Sequence, residues 1–598
     1  MNSRTDDRSR LAAQSWARAL ERTAPINRAP TTTLPVVIER LAAERGEAPA
    51  LAAADGTLSY RALGAQANRY SHWALAQGLS SADVVCLLMG NCPEYLAVWL
   101  GITRIGATVA LLNTQLTGDL LAHAVRIAGP RHLIVAADYA AAAVAARQQL
   151  PAGVQLWVHG ATQHDLRPIG EELARESADT PDPGAFTAPT IDSRALYIYT
   201  SGTTGLPKAA NVSHYRLMQW SHWFAGLLDT QPSDRMYDCL PLYHSVGGVV
   251  ATGATLVGGG TVVLRPRFSA SSFWQDVRQE RCTLFQYIGE LCRYLLNNAP
   301  AADDPVHSLR IACGNGLRPE VWTAFQQRFR IPRILEYYAS TEGNFSLYNC
   351  EGEAGAIGRI PGFLAHRLQV AIVRHDVESG EPKRGADGLC ERCDAGEAGE
   401  AIGAIPAAHG ARAGAFEGYA DAAATARKVL RDVFVAGDAW YRTGDLMRRD
   451  RRGYFYFVDR IGDTYRWKGE NVSTAEVWSA LAACRGVVDG VVYGVEVPGA
   501  DGRAGMAALV ATAEFDPAAF YADVTARLPE YAQPVFLRLL PALEVTGTFK
   551  PRKADLLREG FDPARVPGAL YVADRVARSY VPLDAALAAA IASGRVRI

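Results

Sequence analysis

A chain of 598 residues is longer than one hydrophobic core organises, so several domains are expected. With 49% apolar and 21% charged residues, the composition is that of a folded globular protein and excludes extended disorder. A formal net charge of -1 supplies no global field for nucleic acid or an anionic membrane, so any anion must be bound by local groups, and ten scattered cysteines point to reduced thiols in a cytoplasm.

The opening stretch MNSRTDDRSRLAAQSWARAL mixes charges without an apolar centre. That excludes a signal peptide or anchor within it and suits a short amphipathic helix, and residues 1–30 are expected to form an N-terminal extension. HLIVAA reads as a strand, YAAAAVAARQQL as a helix, and the polar, Pro-containing ARESADTPDPGAFTAPTIDS as an exposed connection. The strand ALYIYT then runs into TSGTTGLPK. Here the hydroxyls of Thr200, Ser201, Thr203 and Thr204, with backbone N–H groups bared by Gly202 and Gly205, would nest phosphate oxygens, and Lys208 would add charge. The spacing is not that of a Walker loop, and a flexible turn rich in small residues stands as the alternative.

The uncharged stretch from Cys239 to Leu264 has the length of a membrane span, but its six glycines, a histidine and a proline favour a buried helix followed by the buried strand TVVL. Beyond it, TLFQYIG, RIACGNG and ILEYYAS read as strands, and ASSFWQDVRQE, ELCRYLLNN and EVWTAFQQRF as helices. This alternation predicts an α/β fold with largely parallel sheets, whose ligands bind at the carboxyl ends of strands. From about residue 366 short β segments with charged turns suggest a β subdomain. CERC at Cys390 and Cys393 lacks further ligands at zinc spacing and reads as a hairpin with incidental thiols.

Taken in order, YTSGTTGLPK, LPLYHS, YYASTEGN, YRTGDL, DRIGDTYRWKGENVSTAEV and TGTFKPRK resemble the signature blocks of the adenylate-forming superfamily. CLPLYHS, QYIGELCRYLLN, GNGLRPEVW and TGTFKPRKADLLREGFDP are similar to the fatty acid transport protein, or very-long-chain acyl-CoA synthetase, branch. The likeness runs from Leu58 to the end of the chain. It implies a large adenylation domain over residues 31–459, with its β subdomain at about 366–458, and a small mobile α+β domain over 460–598.

The implied chemistry is ATP-dependent: a fatty acid carboxylate attacks the α-phosphate, pyrophosphate leaves, and a thiol displaces AMP from the acyl-adenylate. By this resemblance the Thr200–Lys208 loop holds the β- and γ-phosphates, Glu342 helps hold Mg²⁺, Tyr338 stacks on adenine and Thr341 contacts phosphate. Asp445 takes the ribose hydroxyls, Arg460 contacts the same region, and Lys550 bridges the carboxylate and the α-phosphate. His244 gates or lines the carboxylate pocket, with a core histidine as the alternative. Gly462 replaces the usual charged hinge residue, and Gly469 lines the pantetheine passage. Gly247, Gly248, Gly253, Gly289 and Gly314 either leave volume for an acyl chain or permit close packing.

Coenzyme A is the expected thiol. A separate carrier protein as acceptor, and a fatty acid binding protein without turnover, remain the other readings. The protein is expected in the cytoplasm with no transmembrane anchor, peripheral membrane contact being compatible with a lipid-partitioning substrate. Oligomeric state, a homodimer included, is open.

Overall fold

The computed structural model describes residues 2–54, 56–201, 206–376, 379–407, 412–467, 470–498, 500, 502–546, 551–566 and 568–596, the side chains of 2–7 and 201 excepted. The chain forms two compact units, Met1–Leu368 with Ile405–Val429, and Gln369–Ala404 with Leu430–Ile598.

Two sheets build the first unit. In the seven-stranded one the spatial order is Arg167–Pro168, Gln155–His159, His132–Ala136, Val84–Leu88, Thr108–Leu111, Arg194–Ser201 and Pro207–Ser213, parallel until the last, antiparallel pair. Val84–Leu88, with the sequence VVCLL, is buried at every position, as a parallel strand covered on both faces must be. The eight-stranded sheet runs Ser346–Asn349, Ile334–Ala339, Ile311–Asn315, Leu284–Ile288, Arg235–Asp238, Thr261–Leu264, Pro49–Ala53 and Gly56–Ser59, with antiparallel pairs only at its two ends. The strands read from apolar runs are all present, and the parallel-rich α/β class holds. The uncharged stretch turns through Val246–Ala251 and the helix Thr252–Leu256 into the buried strand Thr261–Leu264. Among the described residues no helix is long and apolar enough to cross a membrane.

The opening stretch is more than an appendage. It forms the helix Asn2–Thr23, whose residues Ala12, Trp16 and Ala19, spaced by four and three, are buried. Trp16 packs edge-on against Trp223 and Tyr348, with centroids 5.9 and 5.6 Å away. A Cβ on Gly226 would stand 2.5 Å from the Ala19 backbone, so the helix His214–Leu228 accepts this neighbour only through a glycine.

The second unit holds the antiparallel strands Tyr454–Arg460, Ala439–Arg449, Ala398–Ala404 and Val370–Val373, in that order. Cys390 joins its apolar cluster beside Val373, Ile402 and Trp440. A further sheet, ordered Val487–Glu496, Arg503–Ala511, Phe536–Leu539, Leu570–Asp574 and Ser579–Pro582, packs with the helices Thr474–Ala482 and Pro517–Arg527 around Tyr493, Met506 and Phe536. Residue 460 closes the strand Tyr454–Arg460 inside this unit, and the turn containing Gly462 follows.

Candidate active site

Thr200 is half-buried near the end of the strand Arg194–Ser201, and the chain returns as Pro207–Ser213 with Lys208 paired opposite Thr200. The two flanks of the small-residue motif are therefore paired antiparallel at the sheet edge. Gly202, Thr203, Thr204 and Gly205 lie outside the described residues, as does the Ser201 side chain. Lys208 is half-buried, its ammonium 5.9 Å from the centroid of the Tyr419 ring.

The second group comes from the strand Ile334–Ala339 and the loop after it. Tyr338 is half-buried with its ring 6.0 Å from Phe345, and the Thr341 hydroxyl is 3.0 Å from that of Ser245. This bond ties YYASTEGN to LPLYHS, in which His244 is half-buried with its ring 4.6 Å from Tyr243. Glu342 is buried, and its Oε1 accepts the Tyr419 hydroxyl at 2.9 Å. The loop is held by its backbone as well, because buried Arg216 donates to the carbonyls of Glu342 and Gly343.

Neither Tyr419 nor Arg216 stands out in the sequence. Tyr419 is 77 residues from Glu342 and sits in an unremarkable FEGYAD stretch, and its one local signal is the preceding glycine. Gly418 has φ +69, and a Cβ there would meet the Thr425 side chain at 2.6 Å. The segment around Tyr419 lies along the edge strand Pro207–Ser213: the Asn211 N–H donates to Gly418, the Ala420 N–H to Ala209, and Ser213 donates from N and Oγ to the Glu417 carboxylate at 2.8 and 2.6 Å.

The glycines expected along an acyl passage are packed against other backbone. A Cβ on Gly247 would stand 2.8 Å from the Leu240 carbonyl oxygen, on Gly248 1.9 Å from that of Leu242, on Gly289 1.9 Å from that of Gly316, and on Gly314 2.2 Å from that of Tyr287. Gly253 would meet the Ser221 hydroxyl at 2.2 Å. Of the two readings, what glycine supplies at these positions is close approach; none of them opens volume by lacking a side chain.

In the second unit, Asp445 and Arg460 are cross-strand partners, with Nε 3.6 Å from Oδ1. The carboxylate is buried while the guanidinium is half exposed. Gly462 has φ +93 and no atom within 4 Å of a Cβ position. Beside it, the Lys553 ammonium sits 3.0 Å from the Asp463 carboxylate and 3.4 Å from the Thr474 hydroxyl. Lys553 also faces Asp459, which burial pushes above the usual carboxylate range while the lysine pulls it back. Of the cations in FKPRK, Lys553 is thus engaged by the turn and Arg552 lies 3.8 Å from Glu544. Lys550 and Gly469 lie outside the described residues.

Strand-end hydroxyls, a lysine and a buried glutamate in one unit, with a cross-strand Asp–Arg pair in the other, match the signature blocks of enzymes that activate a carboxylate on a nucleotide. The profile of the family described as "AMP-binding enzyme" matches residues 38–400. The chain is 39% identical over 578 residues to long-chain fatty acid transport protein 1 of Mus musculus, covering 94% of this chain and 88% of that one. It is 38% identical over 564 residues to the medium/long-chain-fatty-acid–CoA ligase FadD6 of Mycobacterium tuberculosis, covering 94% and 91%. Among solved structures, the anthranilate CoA ligase AuaEII in complex with anthranoyl-AMP superposes with a TM-score of 0.73 at 20% identity, over 87% of this chain and 95% of the other. The chain belongs to the AMP-binding enzyme family, in the branch of the long-chain fatty acid transport proteins.

Proposed function

We propose that this protein is an ATP-dependent fatty acyl-CoA synthetase, forming a fatty acyl-adenylate with release of pyrophosphate and then transferring the acyl group to coenzyme A with release of AMP. The observation that carries the reading is the meeting of two separated motifs on one side chain: Thr200 and Glu342 both face the Tyr419 hydroxyl, and Lys208 lies beside its ring. That gathers donors, a cation and a carboxylate, the groups that a polyphosphate with its metal calls for. The fatty acid as substrate is supported by the relatives, one of which bears the name of a fatty acid–CoA ligase.

The chain's own groups have distinct tasks. A carboxylate attacking a triphosphate brings anion against anion, so positioned cations and N–H donors lower the barrier chiefly by electrostatic stabilisation. Lys208 and the 200–208 loop serve the β- and γ-phosphates, and Lys550 the carboxylate and the α-phosphate. The Asp445 carboxylate, with two acceptor oxygens, suits two ribose hydroxyls, and Arg460 steadies it from the paired strand. Tyr338 offers a ring face for the base. Residues 460–598 would turn about Gly462, whose backbone is free of side-chain constraint, between the two half-reactions.

Magnesium fits this donor set. Among the described residues no cluster of three or more His, Cys, Asp or Glu could hold a metal alone, and Mg²⁺ brought by a triphosphate needs only one or two carboxylates because phosphates and waters complete its shell. Glu342 would hold it, one oxygen fixed by Tyr419 and the other without a donor among the described residues, and the ion would neutralise phosphate charge.

The test is acid-dependent exchange of labelled pyrophosphate into ATP across fatty acids of increasing length, with coenzyme A omitted and then added. Exchange with fatty acids followed by acyl-CoA formation is expected. Exchange without acyl-CoA would shift the acceptor to a carrier protein, and measurable ATP binding without exchange would refute the enzyme.

A further inference from the structure

We propose that Tyr419 is a positioning residue of the phosphate site, which sets the Glu342 carboxylate for the metal–nucleotide complex through its hydroxyl; this rests on the synthetase reading above. The hydroxyl donates to Oε1 at 2.9 Å, and no donor among the described residues reaches Oε2. One oxygen is thereby fixed and the other left to a ligand. Thr200 faces the same hydroxyl, so a single O–H group joins the end of the phosphate-loop strand to the loop carrying Glu342.

The surroundings are built for this task. Tyr419 is 6% exposed and packs with Ala210 and Ala424. Its backbone forms a bridge to Ala210, and its N–H donates to the Thr425 hydroxyl at 2.9 Å, which fixes the ring's origin. The segment is anchored again by Arg412, paired twice with Asp192 at 2.5 and 2.6 Å. A phenylalanine would serve the packing equally well. The hydroxyl is the part that packing does not require.

The experiment titrates magnesium against equilibrium ATP binding to the full-length protein by calorimetry, without a fatty acid, and follows pyrophosphate exchange in parallel. Tyr419→Phe should keep its melting temperature within about 2 °C, since one hydrogen bond in a large unit is lost. It should raise the magnesium concentration for half-maximal ATP binding by roughly tenfold, the worth of one hydrogen bond to a charged group. If the effect runs through the carboxylate, Tyr419→Phe added to Glu342→Gln should cost less than about twofold more.

An unmoved magnesium requirement in Tyr419→Phe, or full additivity with Glu342→Gln, would overturn the proposal. Arg412→Ala separates docking of the segment from the hydroxyl: a lower melting temperature with an unmoved magnesium requirement supports the assignment, and a tenfold shift there as well would overturn it. Absence of exchange in the wild type would refute the synthetase reading instead, and the binding titration would still judge Tyr419.

Discussion

Glu336 lies 1% exposed in the strand Ile334–Ala339, two residues before Tyr338. Its Oε2 accepts the Tyr287 hydroxyl at 2.5 Å and its Oε1 the Leu317 N–H at 3.0 Å, so it ties the loop after Ile311–Asn315 to the neighbouring strand. Burial outweighs these donors and pushes its pKa from 4.5 up to about 8. Between those values the folded protein keeps a proton that the unfolded chain releases, so the stabilisation is complete below pH 4.5 and is lost as pH rises through 8. Each pH unit inside the window removes up to about 1.4 kcal/mol, or about 2–3 kcal/mol between about pH 5.5 and 7.5. Glu336→Gln is neutral throughout and keeps both contacts if the Tyr287 hydroxyl turns to accept. Urea unfolding of both proteins across this range should show wild type losing stability relative to the variant by that amount as pH rises. Parallel pH profiles would refute the reasoning, and so would a variant that is several kcal/mol weaker at the acid end.

His132, His214 and His222 are held by burial at about 4, neutral in the fold. The unfolded chain protonates them below about 6.5, so stability falls as pH drops from there toward 4, which acid-side melting curves would show and triple replacement by apolar residues would flatten. Gly248→Ala places a methyl 1.9 Å from the Leu242 carbonyl oxygen. It should cost about 1–3 kcal/mol of stability by overpacking, seen as a lower melting temperature. On the ribose role proposed for Asp445, Asp445→Ala should raise the KM for ATP by roughly 100-fold or more in the exchange assay, since two hydrogen bonds to a charged acceptor would be lost.

How much was legible follows from the range of each signal. The strands ALYIYT, TLFQYIG and RIACGNG declare themselves within six or seven residues, because β-branched and aromatic runs between turn residues carry their own instruction. Asp445 and Arg460 stand in separate motifs, and their pairing across two strands follows from the intervening hairpin. The link from Tyr419 to Glu342 spans 77 positions, and no local pattern announces which distant edge the segment will cover. The same limit applies to Trp16, whose partner Tyr348 lies in the eight-stranded sheet. The glycines show a different limit. Composition marks where a side chain is missing, but only the neighbouring carbonyl tells whether that makes room or closes it.

The segment Ile405–Val429 belongs to the first unit although the chain on both sides of it belongs to the second. The polypeptide therefore crosses between units three times, after Leu368, Ala404 and Val429. No single recombination between relatives at these points exchanges one unit without splitting the other. A crossover after Leu368 would lay a foreign Tyr419 segment along the resident edge strand, and the hydroxyl facing Glu342 would come from a different parent. Shuffled libraries in this family should therefore recover function mainly when residues 405–429 are inherited together with the first 368.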